Sequence, residues 1–197
     1  MVTRKPLCID LYCGLGGWAE GFLAEGYDVV GFDIERHDYG NCGYPGQLVL
    51  QDVLTLHGSQ FRGAAVIVAS PPCQFFSRMA MPFRMPWKRD EFERRRNLAL
   101  SLFWQCWRIQ HEASEAAGHE IPLVVENVVG TQTWVGSARW HHRSFYLWGD
   151  LPAFDAYSRK RAEKHRGLVV WTAGRTAQSH GPRRYENWWW MVERFHE

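Results

Sequence analysis

Two residues, Cys73 and Glu126, combine reactive side chains with positions at which sheets do chemistry. Cys73 follows the apolar run Val66-Ile67-Val68-Ala69-Ser70 and the pair Pro71-Pro72. The β-branched run predicts a buried strand, and the prolines stop it, because they donate nothing to a ladder and hold the preceding residues extended. A thiol there stands at the carboxyl end of a strand, the edge where open α/β sheets place ligands. It is a nucleophile wherever its surroundings maintain the thiolate. The competing reading is a buried, inert cysteine. Glu126 ends a second apolar run, Ile121-Pro122-Leu123-Val124-Val125, just ahead of Asn127 and Val128. Alone it reads as a salt-bridged strand-end residue. Beside Cys73 it supplies an acid next to a nucleophile at neighbouring strand ends.

The elements that must position this pair begin near the amino terminus. Leu7-Cys8-Ile9-Asp10-Leu11 predicts a short strand, Tyr12-Cys13-Gly14-Leu15-Gly16-Gly17 a glycine-rich turn, and Trp18-Ala19-Glu20-Gly21-Phe22 the start of a helix. This is the opening βα unit of a nucleotide-type site, whose glycines let backbone approach a ligand that a Cβ would exclude. Tyr27 to Phe32 predicts a second strand with Asp33 at its end, where a carboxylate can accept from both hydroxyls of a ribose; otherwise Asp33 is a loop carboxylate or helix cap. Leu48 to Val53 predicts a third strand, with Asp52 placed to take a base amino group. A helical pattern starts at Arg94-Arg95-Arg96 and runs through Leu98, Leu102, Trp104 and Ile109. The fold class expected is therefore α/β, with a mostly parallel sheet.

Asp10-Leu-Tyr-Cys-Gly-Leu-Gly-Gly17, Pro71-Pro-Cys-Gln74 and Glu126-Asn-Val128, in that order, resemble the DNA cytosine-5 methyltransferases. The resemblance spans roughly residues 7 to 150 and weakens beyond. It implies a Rossmann-like fold for S-adenosylmethionine-dependent methyltransferases, with a catalytic core over residues 1–150 and an abbreviated segment over 151–197 in place of a full target-recognition domain. It also implies the reaction. Cytosine C5 is a poor nucleophile; a thiolate, matched by Cys73, adds to C6 and makes C5 enamine-like. The charge that moves toward N3 is relieved by an acid matched by Glu126, for which a pocket that raises its pKa is expected. A base, for which the sequence names no side chain, then removes the C5 proton and the thiol leaves. The cytosine must be flipped out of the duplex or presented single-stranded.

The same resemblance distributes the remaining site residues. Tyr12 packs against the adenine of S-adenosylmethionine, Gly14, Gly16 and Gly17 line its methionine side, and Asp33 binds the ribose beside Ile34. Asp52, with Val53 next to it, accepts from the adenine amino group. Pro72 holds the target cytosine through its carbonyl, and Gln74, Ser77 and Asn127 belong to the same substrate side. The family's Gln-x-Arg-x-Arg element is expected at Trp140 to Ser144, where this chain reads Trp-His-His-Arg-Ser; neither arginine is in register, and Arg143 or His142 is the substitute. The adjacent histidines His141 and His142 point to opposite faces of a strand, and no metal site is expected.

Composition bounds the reading. The 197 residues, 46% hydrophobic, suffice for one cored domain. No apolar run is long enough for a membrane span, and Met1 to Pro6 lacks a signal-peptide core. Five cysteines without a Cys-x-x-Cys spacing argue against a disulfide frame or zinc ribbon, and a reducing, cytoplasmic setting is expected. The family resemblance, to a short phage- or prophage-like member, implies a bacterial host or phage-infected cell. The net charge of +2 divides unevenly, into −4 over residues 1 to 75 and +6 over 76 to 197, so the second half is expected to face the phosphates of DNA. Arg78, Arg84, Lys88 and Arg89, interleaved with Met79, Met81, Phe83, Met85 and Trp87, read as a loop that closes over a flipped base or, alternatively, packs on the sheet. Arg159-Lys160-Arg161, Lys164 and Arg166 read as a reduced DNA-contacting insert or a solvated helix face, and Trp188-Trp189-Trp190 as core packing, a base stack or an interface with a partner or second copy. Two rivals to DNA methylation remain: a cytosine hydroxymethylating or RNA-methylating variant, and a DNA-binding subunit without catalysis.

Overall fold

The computed structural model of the chain describes residues 4–37, 43–77 and 89–151. Its centre is a seven-stranded sheet in the order β3-β2-β1-β4-β5-β7-β6, made of β1 (Leu7–Leu11), β2 (Asp28–Asp33), β3 (Gln47–Leu50), β4 (Val66–Ala69), β5 (Leu123–Asn127), β6 (Trp140–His142) and β7 (Phe145–Gly149). The first five strands in that order are parallel, and the β6–β7 hairpin is added antiparallel to β5. β1 and β4 are almost wholly buried, as expected of parallel strands covered on both faces.

Side-chain alternation divides the core into two layers. Ile9, Leu11, Ile67, Ala69, Leu123 and Val125 meet Phe103, Cys106, Ile109 and Ala113 of α2 (Arg89–Ala117) on one face. Those four buried α2 positions recur every three or four residues, the period of one helix face. Cys8, Val66, Val68 and Val124 meet Trp18, Ala19 and Phe22 of α1 (Gly17–Ala24) on the other.

Chain direction in the sheet reverses between β1 and β4. From β1 the chain runs outward through β2 to β3, then returns to pair β4 with β1, Leu11 opposite Ala69. The crevice outside the carboxyl ends of β1 and β4 is the switch point at which such sheets bind ligands. The glycine turn follows β1 and the Pro-Pro-Cys segment follows β4, so both border this crevice.

Three expectations are corrected. The third strand stops at Leu50, because the Asp52 carboxylate caps a 3-10 turn at Val53–Thr55, its Oδ1 accepting from Leu54 N at 2.9 Å. Tyr27 lies outside β2 and packs edge-on against Phe22. α2 starts at Arg89 rather than Arg94, with Asp90 and Glu91 in its first turn, where carboxylates suit the helix dipole. Arg89, expected in the loop after Cys73, instead opens α2; the rest of that loop, residues 78–88, and everything read from 152–197 lie outside the described residues. Among the described residues, no helix is long and apolar enough to cross a membrane.

Candidate active site

Cys73 sits in a turn held from two sides. Beyond β4, Ser70 N donates to Leu11 O at 3.1 Å, extending the ladder by one residue. Pro71 is then buried, while Pro72 and Gln74 are exposed and Cys73 is half-buried. Phe76 N and Ser77 N both donate to Cys73 O at 2.9 Å, closing the turn. From β5, Asn127 Nδ2 donates to Pro71 O at 2.9 Å, and Asn127 Oδ1 accepts from Thr131 Oγ1 at 2.7 Å and Val128 N at 2.9 Å. Asn127 is 1% exposed, so its side chain works as a clasp behind Cys73, not as a group facing substrate. Ser77 is half-buried at the end of the same turn.

The floor of the turn is aromatic. Phe75 packs on Phe76, Phe92 and Trp134, with ring centroids 5.3–6.0 Å apart, and the Arg96 guanidinium lies over the Trp134 ring at 5.8 Å. Gly130 makes this packing possible: a Cβ there would lie 2.1 Å from Phe76 O. Arg94 and Arg95 both pair with Glu91 on the exposed side of α2.

Glu126 lies on the strand next to β4, with Val125 opposite Ala69 in register. Burial pushes its carboxyl up to about 7, against the smaller opposing effect of a hydrogen bond from Ser70. Some of its surface still opens to the site mouth, since the residue as a whole is only half-buried. Burial also raises the Cys73 thiol, and the charge of Glu126 raises it further. The two groups therefore feel each other: neutral Glu126 favours the Cys73 thiolate, ionised Glu126 opposes it.

The nucleotide side is built around Asp33. Its Oδ2 accepts from Gly14 N at 2.9 Å and its Oδ1 from Ile34 N at 2.8 Å, so one carboxylate ties the glycine turn to the end of β2. A carboxylate offers about four acceptor positions, which leaves capacity for a diol. Ile34 beside it is 70% exposed and offers an apolar surface that a flat ligand would cover. Tyr12 adopts φ 57° and donates from Oη to Leu102 O at 2.9 Å, anchoring its ring against α2. Gly14 faces open space. Gly16, at φ 86°, caps α1 ahead of Gly17 and has Pro45 2.4 Å from where a Cβ would stand, so it serves the approach of Pro45 more than that of a ligand. Asp52 is exposed with Oδ1 engaged by Leu54 N. Val53 is a correction: at 1% exposure its side chain belongs to the core under α2, because the 3-10 turn points it inward.

Asp10, fully buried below the glycine turn, was not read as a site residue. Its Oδ2 accepts from Tyr44 Oη at 3.1 Å, its Oδ1 has no partner, and burial raises its carboxyl far above the ordinary range. A buried polar atom without a partner, an exposed Ile34 and an open Gly14 together fit a polar, flat-ended ligand such as S-adenosylmethionine. The sequence carried a signal for Asp10, a carboxylate within an apolar strand run, but none for Tyr44, which arrives from 34 residues away.

Arg143 is exposed at φ 54° in the β6–β7 turn. Because β7 runs antiparallel to β5, with Tyr146 opposite Asn127, that turn lies on the same sheet edge as Cys73. His142 stacks on Trp140 and His141 on Tyr146, on opposite faces as the alternation requires. Among the described residues no group of three or more His, Cys, Asp and Glu side chains is gathered to hold a metal ion.

A profile of C-5 cytosine-specific DNA methylases matches residues 7–133, which include the glycine turn, Cys73 and Glu126. No curated protein matches. Similar solved structures include a candidate DNA modification methyltransferase encoded within an E. coli prophage, at 22% identity and TM-score 0.44, covering 64% of this chain and 33% of that one. The Entamoeba histolytica methyltransferase EhMeth is 11% identical, at TM-score 0.42, with coverages of 66% and 40%. The S. pombe Dnmt2 methyltransferase is 16% identical, at TM-score 0.39, with 66% and 36%. The chain thus spans about a third to two-fifths of the length of these structures. With more than half of its residues matched by that profile, the chain belongs to the C-5 cytosine-specific DNA methylase family.

Proposed function

We propose that this chain carries out methyl transfer from S-adenosylmethionine to C5 of cytosine in DNA through a covalent bond between Cys73 and C6. The observation that supports it most is the pairing of Cys73 and Glu126 at adjacent strand ends, with burial raising Glu126 to about 7 and the charge of Glu126 opposing the Cys73 thiolate. An ordinary carboxylic acid would be ionised at neutral pH and would only repel the charge gathering on N3. A carboxyl raised to that value is neutral in a good fraction of molecules, and its neutrality also favours the thiolate beside it.

In this mechanism the Cys73 sulfur forms the bond to C6 while Glu126 holds a proton at N3, so the electron pair of the C5–C6 bond gathers at C5. Asp33, Ile34, Tyr12 and the Gly14 turn would hold S-adenosylmethionine, which would supply an electrophilic methyl group to C5 and leave as S-adenosylhomocysteine. Water removes the C5 proton, the C5–C6 double bond re-forms and the Cys73 thiolate leaves. Asn127 keeps the Cys73 turn on β5 throughout, and Pro72, Gln74, Ser77 and Arg143 border the place where the flipped base sits.

The test is covalent trapping. In DNA carrying 5-fluorocytosine the position that should lose its proton holds fluorine, so release is blocked and the protein stays on the DNA. Wild-type protein with S-adenosylmethionine is expected to give the adduct by mass, and Cys73→Ala to give none. A folded, DNA-binding wild type without an adduct would sink the proposal in favour of a non-catalytic subunit, and an adduct formed only on the RNA analogue would reassign the substrate.

A further inference from the structure

Side chains from three elements meet on the α1 face of the sheet. Ser70, directly after β4, and Glu126 in β5 project by strand alternation to the same face as Val68 and Val124, the face that α1 covers. Trp18, in the first turn of α1, donates its indole Nε1–H to Ser70 Oγ at 3.0 Å. Ser70 stands beside Glu126 across β4 and β5, one residue past the pair Ala69 and Val125, and as a donor it favours the Glu126 carboxylate. An indole nitrogen only donates, whereas a hydroxyl has one proton and two lone pairs. Trp18 therefore occupies a lone pair of Ser70, and the hydroxyl proton is directed onto one oxygen of Glu126. The carboxyl proton is left to the other oxygen.

We propose that Trp18 and Ser70 form a positioning relay that orients the Glu126 carboxyl, reserving its second oxygen for the proton shared with the target base. The proposal deepens the reading of Glu126 as the acid and rests on it. Neither Trp18 nor Ser70 touches the base; both act through Glu126. The relay also joins the two halves of the crevice, because α1 starts at Gly17 of the glycine turn, so the turn that holds the cofactor and the acid that holds the base share a rigid connection. Among the described residues, the titratable group facing Glu126 from the β4 side is Cys73, while β7 presents Leu147 opposite it and α1 presents the neutral Trp18.

The experiment titrates Glu126 in the full chain by infrared difference spectroscopy of the protonated carboxyl, with Glu126→Gln as the blank, beside the pH profile of methyl transfer. Donation from Ser70 favours the carboxylate, so its loss in Ser70→Ala raises the midpoint by roughly one unit. Trp18→Phe raises it by less, and the double variant goes no further than Ser70→Ala alone, because Trp18 acts through Ser70. Ser70→Thr, which keeps the hydroxyl, restores the wild-type midpoint. In Ser70→Ala, kcat falls about tenfold with KM for DNA almost unchanged, and the alkaline limb of the profile moves up with the midpoint. Thermal melts establish folding; if Ser70→Ala does not fold, Trp18→Phe, which keeps an aromatic ring, carries the comparison. An unmoved midpoint in a folded variant, or additive shifts in the double variant, overturns the relay. A midpoint that moves while the alkaline limb stays fixed overturns the reading of Glu126 as the acid and leaves the wiring intact.

Discussion

Glu126 is raised for the same reason that it is costly. A carboxyl that titrates near 7 when folded and near its ordinary value of 4.5 when unfolded binds more protons in the native state between those limits. Stability therefore falls as pH rises from about 4.5 to 7 and stays low above, the reverse of a salt-bridged carboxylate. Glu126→Gln, neutral at every pH, is expected to be more stable than wild type by about 3 kcal/mol near pH 8, the size of the shift in free energy. That advantage should shrink toward zero near pH 4.5 in urea melts across the range, and a constant difference would contradict the assigned shift. Cys73 and Glu126 were legible in the sequence because a reactive residue at the end of an apolar run announces its place. Ser70, Thr131 and Tyr44 were not, because a hydroxyl announces nothing until its partner is known, and their partners come from other strands or turns.

At the scale of elements, the segments around Cys73 are fixed by contacts that tolerate little. Gly130 follows β5 in a 3-10 turn at Val129–Thr131, and the carbonyl of Phe76 fills the space of any Cβ. Gly130→Ala must push the Cys73 turn and the end of β5 apart, so it is expected to cost about 2–3 kcal/mol, seen as a lower urea midpoint. Adduct formation at 5-fluorocytosine should suffer more than S-adenosylmethionine binding, because the glycine turn lies on β1 and not on β5. Equal losses of the two would place Gly130 in general stability only. Strand identities were read correctly where the apolar run was long, as in β4 and β5, and in β1, where Asp10 is flanked by apolar residues. Boundaries were missed where a polar residue changed the local geometry: the Asp52 cap cut β3 short, and Asp90 and Glu91 let α2 begin ahead of the arginines. α2 is further pinned by Glu112, whose Oε2 accepts from Gly58 N at 2.6 Å and holds the 3-10 turn Gly58–Phe61 against it. That contact crosses 54 residues and no local pattern foretells it.

For the molecule as a whole, the acidic first 75 residues carry the glycine turn and Asp33, and the basic residues 76 to 197 carry the charge suited to phosphate. We propose that Arg159, Lys160 and Arg161 contribute to DNA affinity in the segment after the catalytic core. Replacing all three with alanine in the full chain is expected to weaken DNA binding by at least about tenfold at low salt and to flatten the dependence of log K on log salt by up to about three units. S-adenosylmethionine binding should not change; a parallel loss there would mean that this segment completes the cofactor site instead.

The strand order has a consequence for how such a sheet is made. β2 and then β3 extend one side of β1, β4 and β5 extend the other, and the β6–β7 hairpin is laid against β5 last. Among the described strands, none has to be threaded between two that are already paired. As the chain leaves the ribosome, each arrival finds an open margin waiting for it, and the growing margin is covered in the order of synthesis, which limits how long an unpaired edge is available to a neighbouring nascent chain.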